Sequence, residues 1–138
     1  MAERIRLEVV TPERIVVQED VDIIVAPGVQ GEFGVLVNHV PFLSSLGIGE
    51  MYYRLGGNIF HLAITGGYAE VLPHRVTILA EAAEYARDID VDRARRAKER
   101  AEQRLRQAKT EGIDYARAEV ALKRSIMRLK VAERKAGS

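Results

Sequence analysis

Apolar and polar positions follow two different rhythms along this chain. Up to residue 86 the apolar residues come in short alternating or β-branched runs, at 5–10 (Ile5-Arg6-Leu7-Glu8-Val9-Val10), 14–17, 21–25, 35–37, 50–55, 59–64, 68–71 and 75–79. A period of two marks a half-buried strand. Gly56-Gly57-Asn58 lies between two such runs and predicts a hairpin, and Thr65-Gly66-Gly67 predicts a second turn. Gly31-Glu32-Phe33-Gly34 and Gly47-Ile48-Gly49 also read as turns. Many short strands with no helix between them favour a sandwich over a parallel sheet.

Beyond residue 86 the period becomes helical. Ala94, Ala97, Ala101, Leu105 and Ala108 recur on one helical face. Asp90 or Asp92 is placed to cap that helix, where a carboxylate accepts free backbone N–H groups at the positive end of the dipole. Gly112 breaks the pattern and Asp114 offers a second cap. Tyr115, Ala118, Leu122, Ser125, Leu129 and Ala132 then form another seam. Two seams across a short connection predict an antiparallel helical hairpin. Both seams are built largely from small residues, and each buried CH₂ contributes only about 0.8 kcal/mol. The hairpin should therefore be marginal alone and depend on docking or on a ligand.

Composition divides at the same place. All four prolines, nine of the eleven glycines and seven of the eight aromatics precede residue 87. Residues 1–86 carry a net charge of −6 and residues 87–138 a net charge of +7, although the whole chain is only +1. The reading is a β + α chain with an acidic β module, residues 1–86, and a basic helical module, residues 87–138. There is no cysteine, which excludes disulfides and thiolate chemistry. No window approaches the roughly 20 apolar residues of a membrane span, and the N-terminus lacks a signal-peptide apolar stretch, so no direct membrane insertion is expected.

The common catalytic signatures are missing. There is no G-x-x-x-x-G-K-[ST] phosphate loop and no G-x-S-x-G elbow. His39, His61 and His74 are too scattered for a metal site, and His39 before Pro41 reads as a turn or hydrogen-bonding residue. No catalytic or metal-ligating residues are expected. The basic helices interleave acids with bases, which is the pattern of a solvated face and argues against nucleic acid. Yet Arg124 and Arg128 are one helical turn apart, and Arg93 falls in the first turn of the preceding helix. Either these guanidinium groups converge on one phosphate-sized volume, or they form surface ion pairs each worth less than about 1 kcal/mol.

The ordered runs Gly31-Glu32-Phe33-Gly34-Val35-Leu36, His39-Val40-Pro41-Phe42-Leu43, Ile64-Thr65-Gly66-Gly67-Tyr68-Ala69-Glu70-Val71 and Val76-Thr77-Ile78-Leu79-Ala80 resemble the epsilon subunit of bacterial F-type ATP synthase. So do Ile89-Asp90-Val91-Asp92-Arg93-Ala94, Ala121-Leu122-Lys123-Arg124 and Arg128-Leu129. The resemblance spans essentially the whole chain, with one departure: Asn38 stands where a glycine is frequent, and Asn tolerates a left-handed backbone.

The resemblance implies an N-terminal antiparallel β-sandwich of about ten strands followed by the two-helix hairpin. It implies a non-catalytic central-stalk rotor subunit, peripheral on the cytoplasmic face of the bacterial plasma membrane, clamped to the gamma subunit and resting on the c-ring. It further implies that the hairpin, when extended, approaches an acidic segment of the catalytic beta subunit in the alpha/beta head and blocks ATP hydrolysis. No cofactor is required, but ATP is implied as a regulatory ligand of the folded hairpin. Carried over residue by residue, that site would comprise Glu84, Asp90, Arg93, Arg100, Arg124 and Arg128, with Arg93, Arg124 and Arg128 toward phosphate. Asp90 and Glu84 would serve adenine or ribose, or orient the arginines. A free-standing ATP-binding sensor using the same arginines is the competing reading.

Overall fold

The computed structural model describes residues 3–108 and 113–134; Gly112, expected to break the two helices, lies outside them. The chain runs through β1 (Ile5–Val10), β2 (Ile15–Val21), β3 (Ile23–Gly28), β4 (Gly31–Val35), β5 (Phe42–Leu55), β6 (Asn58–Leu72) and β7 (Arg75–Tyr85). A short 3-10 turn, Ala86–Asp88, leads to α1 (Val91–Gln107) and α2 (Ile113–Ala132). The strands are hydrogen-bonded in the order β2-β1-β7-β6-β5-β3-β4. The pairs are antiparallel except β1–β7, which is parallel. The expected antiparallel sandwich thus contains one parallel pair, where the last strand returns to lie beside the first.

Seven strands appear where about ten were expected, because β5, β6 and β7 are long and bent. Between β5 and β6 the pairing passes from Leu46↔Gly67 to Ile48↔Thr65. Between β6 and β7 it passes from Gly67↔Ala80 to Thr65↔Ala82. Gly47, Gly66 and Glu81 thus fall out of the ladders at one line across the sheet. Counted by straight segments, each long strand contributes twice.

The turn expected at Thr65-Gly66-Gly67 is therefore a bend inside β6, with Gly66 and Gly67 at φ 71° and 115°. A Cβ on Gly67 would run into the Leu79 carbonyl oxygen, so glycine is required by close strand approach as well as by backbone angle. Gly47-Ile48-Gly49 likewise lies within β5, and a Cβ on Gly49 would sit 2.6 Å from Pro27 Cβ. Gly31-Glu32-Phe33-Gly34 belongs to β4, where Phe33 packs edge-on against Phe42. The Gly56-Gly57 hairpin forms as expected between Leu55 and Asn58. Asn38 takes φ 67°, the left-handed conformation anticipated for it.

Alternation gives the sandwich its core. Ile5, Leu7 and Val9 on β1 meet Ile24, Met51, Leu62, Ile64, Val76 and Ile78, all fully buried. At the exit from the core the Tyr53 and Tyr85 hydroxyls share a buried 2.7 Å hydrogen bond. Burial pushes both phenols above the ordinary tyrosine range. The Arg87 guanidinium lies 4.2 Å from the Tyr85 ring centroid. β7 is therefore anchored at the residue where the strand ends and the helical module starts.

Of the two capping aspartates, Asp90 is the N-cap of α1, accepting from the Arg93 amide at 3.0 Å. Asp92 sits in the first turn and pairs with Arg95. The two helices meet along the expected seams, with Ala94, Ala101, Ala118 and Ser125 buried. The Ser125 hydroxyl is satisfied by the Ala121 carbonyl. α1 packs on α2, and α2 rests on β5 and β6.

Candidate functional site

A hollow of about 470 Å³ lies between the helical hairpin and the outer face of β6 and β7. α2 contributes Ala121, Arg124, Ser125 and Arg128, spaced i, i+3, i+4, i+7 along one face. The strands contribute Ala63 and Thr65 opposite Glu84 and Ala82, with Glu81 at the bend. Alanines at 63, 82, 97 and 121 keep the space open. The strongest polar contact in the hollow joins the two modules. Arg128 donates through Nε and Nη2 to the two carboxylate oxygens of Glu84, at 2.7 and 3.1 Å. This two-point fork fixes both side chains, which are only 22% and 33% exposed.

The structure thus brings together Glu84, Arg124 and Arg128 from the six residues singled out in the sequence. Arg93 and Arg100 are exposed on α1 and do not line this hollow, and Asp90 is engaged in capping. Glu84 faces Arg128, in keeping with a carboxylate that orients an arginine. Among the described residues, Arg124 makes no ion pair and is the guanidinium left for an anion entering the hollow. The residues present suit a phosphorylated ligand in type: one guanidinium held by a carboxylate, one unengaged, and the Thr65 hydroxyl nearby.

Two contacts escaped the sequence reading. Met127 and Val131, four apart on α2, form a small apolar cluster with Ala63, Ala86, Ile89 and Ala132, flanked by Ile48. Their i, i+4 spacing beside the arginine pair and the apolar Ile89 just before the cap were the available signals. At the end of α2, Arg134 donates to Glu50 on β5. Among the described residues the hairpin is fastened to the sandwich by a patch in which Ile48, Ile89, Met127 and Val131 are the side chains larger than alanine, and by the Arg128–Glu84 and Arg134–Glu50 ion pairs.

On the sandwich, large apolar side chains face solvent. Val40 and Leu43 are 74% and 75% exposed, and Tyr68 and Leu79, cross-strand partners on β6 and β7, are 63% and 54% exposed. Such a concentration on a small domain marks an interaction surface. Among the described residues, no group of three or more His, Asp or Glu could hold a metal ion.

Comparison with known proteins decides the family. Residues 4–86 match the beta-sandwich domain of the ATP synthase delta/epsilon chain, and residues 87–133 match its long alpha-helix domain. The chain belongs to the ATP synthase delta/epsilon chain family. It is 59% identical over 134 residues to the ATP synthase epsilon chain of Syntrophobacter fumaroxidans, covering 97% of this chain and 99% of that one. It is 54% identical over 131 residues to the epsilon chain of Nitratidesulfovibrio vulgaris, covering 95% and 97%. Among solved structures it resembles a chain of the Euglena gracilis mitochondrial ATP synthase OSCP/F1/c-ring assembly, with TM-score 0.81, 25% identity and coverage of 96% and 83%. A chain of the Tetrahymena thermophila mitochondrial central stalk and c-ring shares the fold, with TM-score 0.59, 13% identity and coverage of 96% of each chain. As an epsilon-type member, the chain is a non-catalytic stalk subunit of F-type ATP synthase.

Proposed function

We propose that the sandwich grips the rotor, holding the gamma subunit and resting on the c-ring, so that proton-driven rotation is coupled to ATP synthesis in the catalytic head. The match of both modules in order, over residues 4–133, carries this reading. The exposed Val40, Leu43, Tyr68 and Leu79 supply the apolar area that such docking needs. Among the described residues, no helix is long and apolar enough to cross a membrane. The subunit sits at the cytoplasmic face of the bacterial plasma membrane through its partners.

The hairpin is the regulatory arm. Its small apolar seat and two ion pairs make docking on the sandwich a weak equilibrium, and its charge of +7 favours an acidic segment of the beta subunit when it extends into the alpha/beta head. In that position it blocks ATP hydrolysis. ATP entering the hollow beside Arg124 and Arg128 favours the folded hairpin by RT ln(1 + [L]/Kd), about 2.7 kcal/mol at a hundredfold excess. Arg93, Arg100 and Asp90 would join it only after α1 adjusts, because they lie outside the hollow in this conformation.

Co-purification with gamma tests the grip: the chain should be retained with gamma, and a chain that binds ATP but never gamma would instead be a free-standing sensor. Calorimetry with ATP on the chain, repeated with Arg124→Ala and Arg128→Ala, tests the ligand. Isotherms identical across all three would remove both side chains from the site.

A further inference from the structure

The three methionines of the chain differ in their surroundings. Met51 is fully buried in the sandwich core, and Met1 lies outside the described residues. Met127 is 8% exposed and belongs to the seat of α2, with Ala63, Ala86, Ile89, Val131 and Ala132. Every one of those side chains is apolar, so none can donate a hydrogen bond. Met127 also lines a groove of about 460 Å³ between α2 and β5, together with Ile48, Leu122 and Ile126. Lys123 and Lys130, one helical turn before and after Met127, line the same groove. Met127 therefore both holds the arm and borders a space that solvent reaches.

We propose that Met127 is a redox-modification site, at which oxidation by a peroxide releases the arm from the sandwich. With hydrogen peroxide, the thioether sulfur attacks one peroxide oxygen, an S–O bond forms and the O–O bond breaks. The proton on the transferred oxygen passes to the departing hydroxide, giving water; sulfur is oxidised and the peroxide reduced. The groove offers so small a molecule a path from solvent, and each opening of the arm exposes the side chain further. The sulfoxide carries a strong acceptor oxygen where the thioether was apolar. Docked, that oxygen is placed among alanines, isoleucine and valine; undocked, it is hydrated. Burying an unpaired polar group is unfavourable, so the modified arm shifts toward the undocked form. Reduction of the sulfoxide restores the thioether and, with it, docking. The site deepens the regulatory reading above, on which its physiological meaning rests, but oxidation and release are properties of the chain by itself.

The test treats the full chain with hydrogen peroxide, reads oxidation by peptide mass mapping, and reads the arm by hydrogen exchange of α2 amides referenced to β1. Met127 should oxidise about tenfold or more faster than Met51, and the α2 opening constant should rise about ten- to a hundredfold in the oxidised chain. Met127→Leu, close in volume, should keep its own α2 protection through the same treatment. Methionine sulfoxide reductases should return the oxidised wild type to its starting protection. Oxidation of Met127 no faster than of Met51 overturns the proposal. So does a sulfoxide that leaves α2 protection unchanged, as when Lys123 or Lys130 hydrogen-bonds it in the groove, or an equal loss of protection in Met127→Leu. Oxidative release on the isolated chain, together with an arm that never affects ATP hydrolysis, would leave the modification site standing and remove the inhibitory reading.

Discussion

Val131 is fully buried where α2 meets Ala63, Ala86 and Ile89, and among the described residues it is one of four side chains larger than alanine in that seat, with Ile48, Ile89 and Met127. Val131→Ala removes two carbon groups there, about 1.6 kcal/mol of lost burial at about 0.8 kcal/mol each. A partly relaxed cavity brings the total to about 1.5–2.5 kcal/mol, or roughly a 10- to 70-fold increase in the opening constant of the arm. The sandwich core, built from Ile5, Leu7, Leu62, Ile64 and Ile78, does not use this residue. Native-state hydrogen exchange separates the two. Protection of α2 amides should fall by that factor while β1 and β6 amides keep theirs. Parallel loss in both modules would mean that arm and sandwich form one cooperative unit. Unchanged α2 protection would mean that the seat does not hold the arm. Either result refutes the reasoning.

The Glu84–Arg128 fork should carry a coupling of about 1 kcal/mol in a double-mutant cycle read by α2 exchange, with Glu84→Gln recovering part of the loss in an Arg128→Ala background; additive effects would deny the contact. Gly67→Ala should destabilise the sandwich by more than about 3 kcal/mol in urea unfolding, since its Cβ meets backbone at φ 115°. Gly66→Ala faces only the movable Glu81 carboxylate and should cost about 1 kcal/mol; equal costs at the two positions would contradict the bend. The Gly56 amide and the Arg4 guanidinium hold the Asp22 carboxyl below its ordinary value of 3.8. Its stabilisation is therefore complete above that value and lost as pH falls below it, so thermal melts of Asp22→Asn should show a shallower acid slope than wild type below about pH 4.

Much of this architecture is written in local pattern. Alternation located the strands, and the spacing of Ala94, Ala101, Ala118 and Ser125 located the seams that are buried between the helices. The glycines misled for a physical reason. Gly66-Gly67 has the local chemistry of a turn, but its positive φ angles serve a bend against Leu79, a neighbour known only once the sheet is assembled. The parallel β1–β7 pairing is hidden from sequence for the same reason, since Arg6 and Arg75 become partners only through the whole topology. In the site, the helical repeat brings Arg124 and Arg128 to one face. Which carboxylate meets Arg128 depends on how α2 lies on the sheet, and Glu84 was reached through family resemblance. Glu50 and Arg134 had no spacing to link them, because one lies on β5 and the other just past α2.

The central claim is that residues 87–138 form a detachable arm on a sandwich that holds the rotor without them. It is tested most directly by deleting that segment and measuring ATP hydrolysis by the reconstituted ATP synthase alongside its subunit composition. Hydrolysis should rise while the truncated subunit stays in the complex. A fully assembled complex whose hydrolysis is unchanged, or a sandwich that no longer assembles, would contradict it.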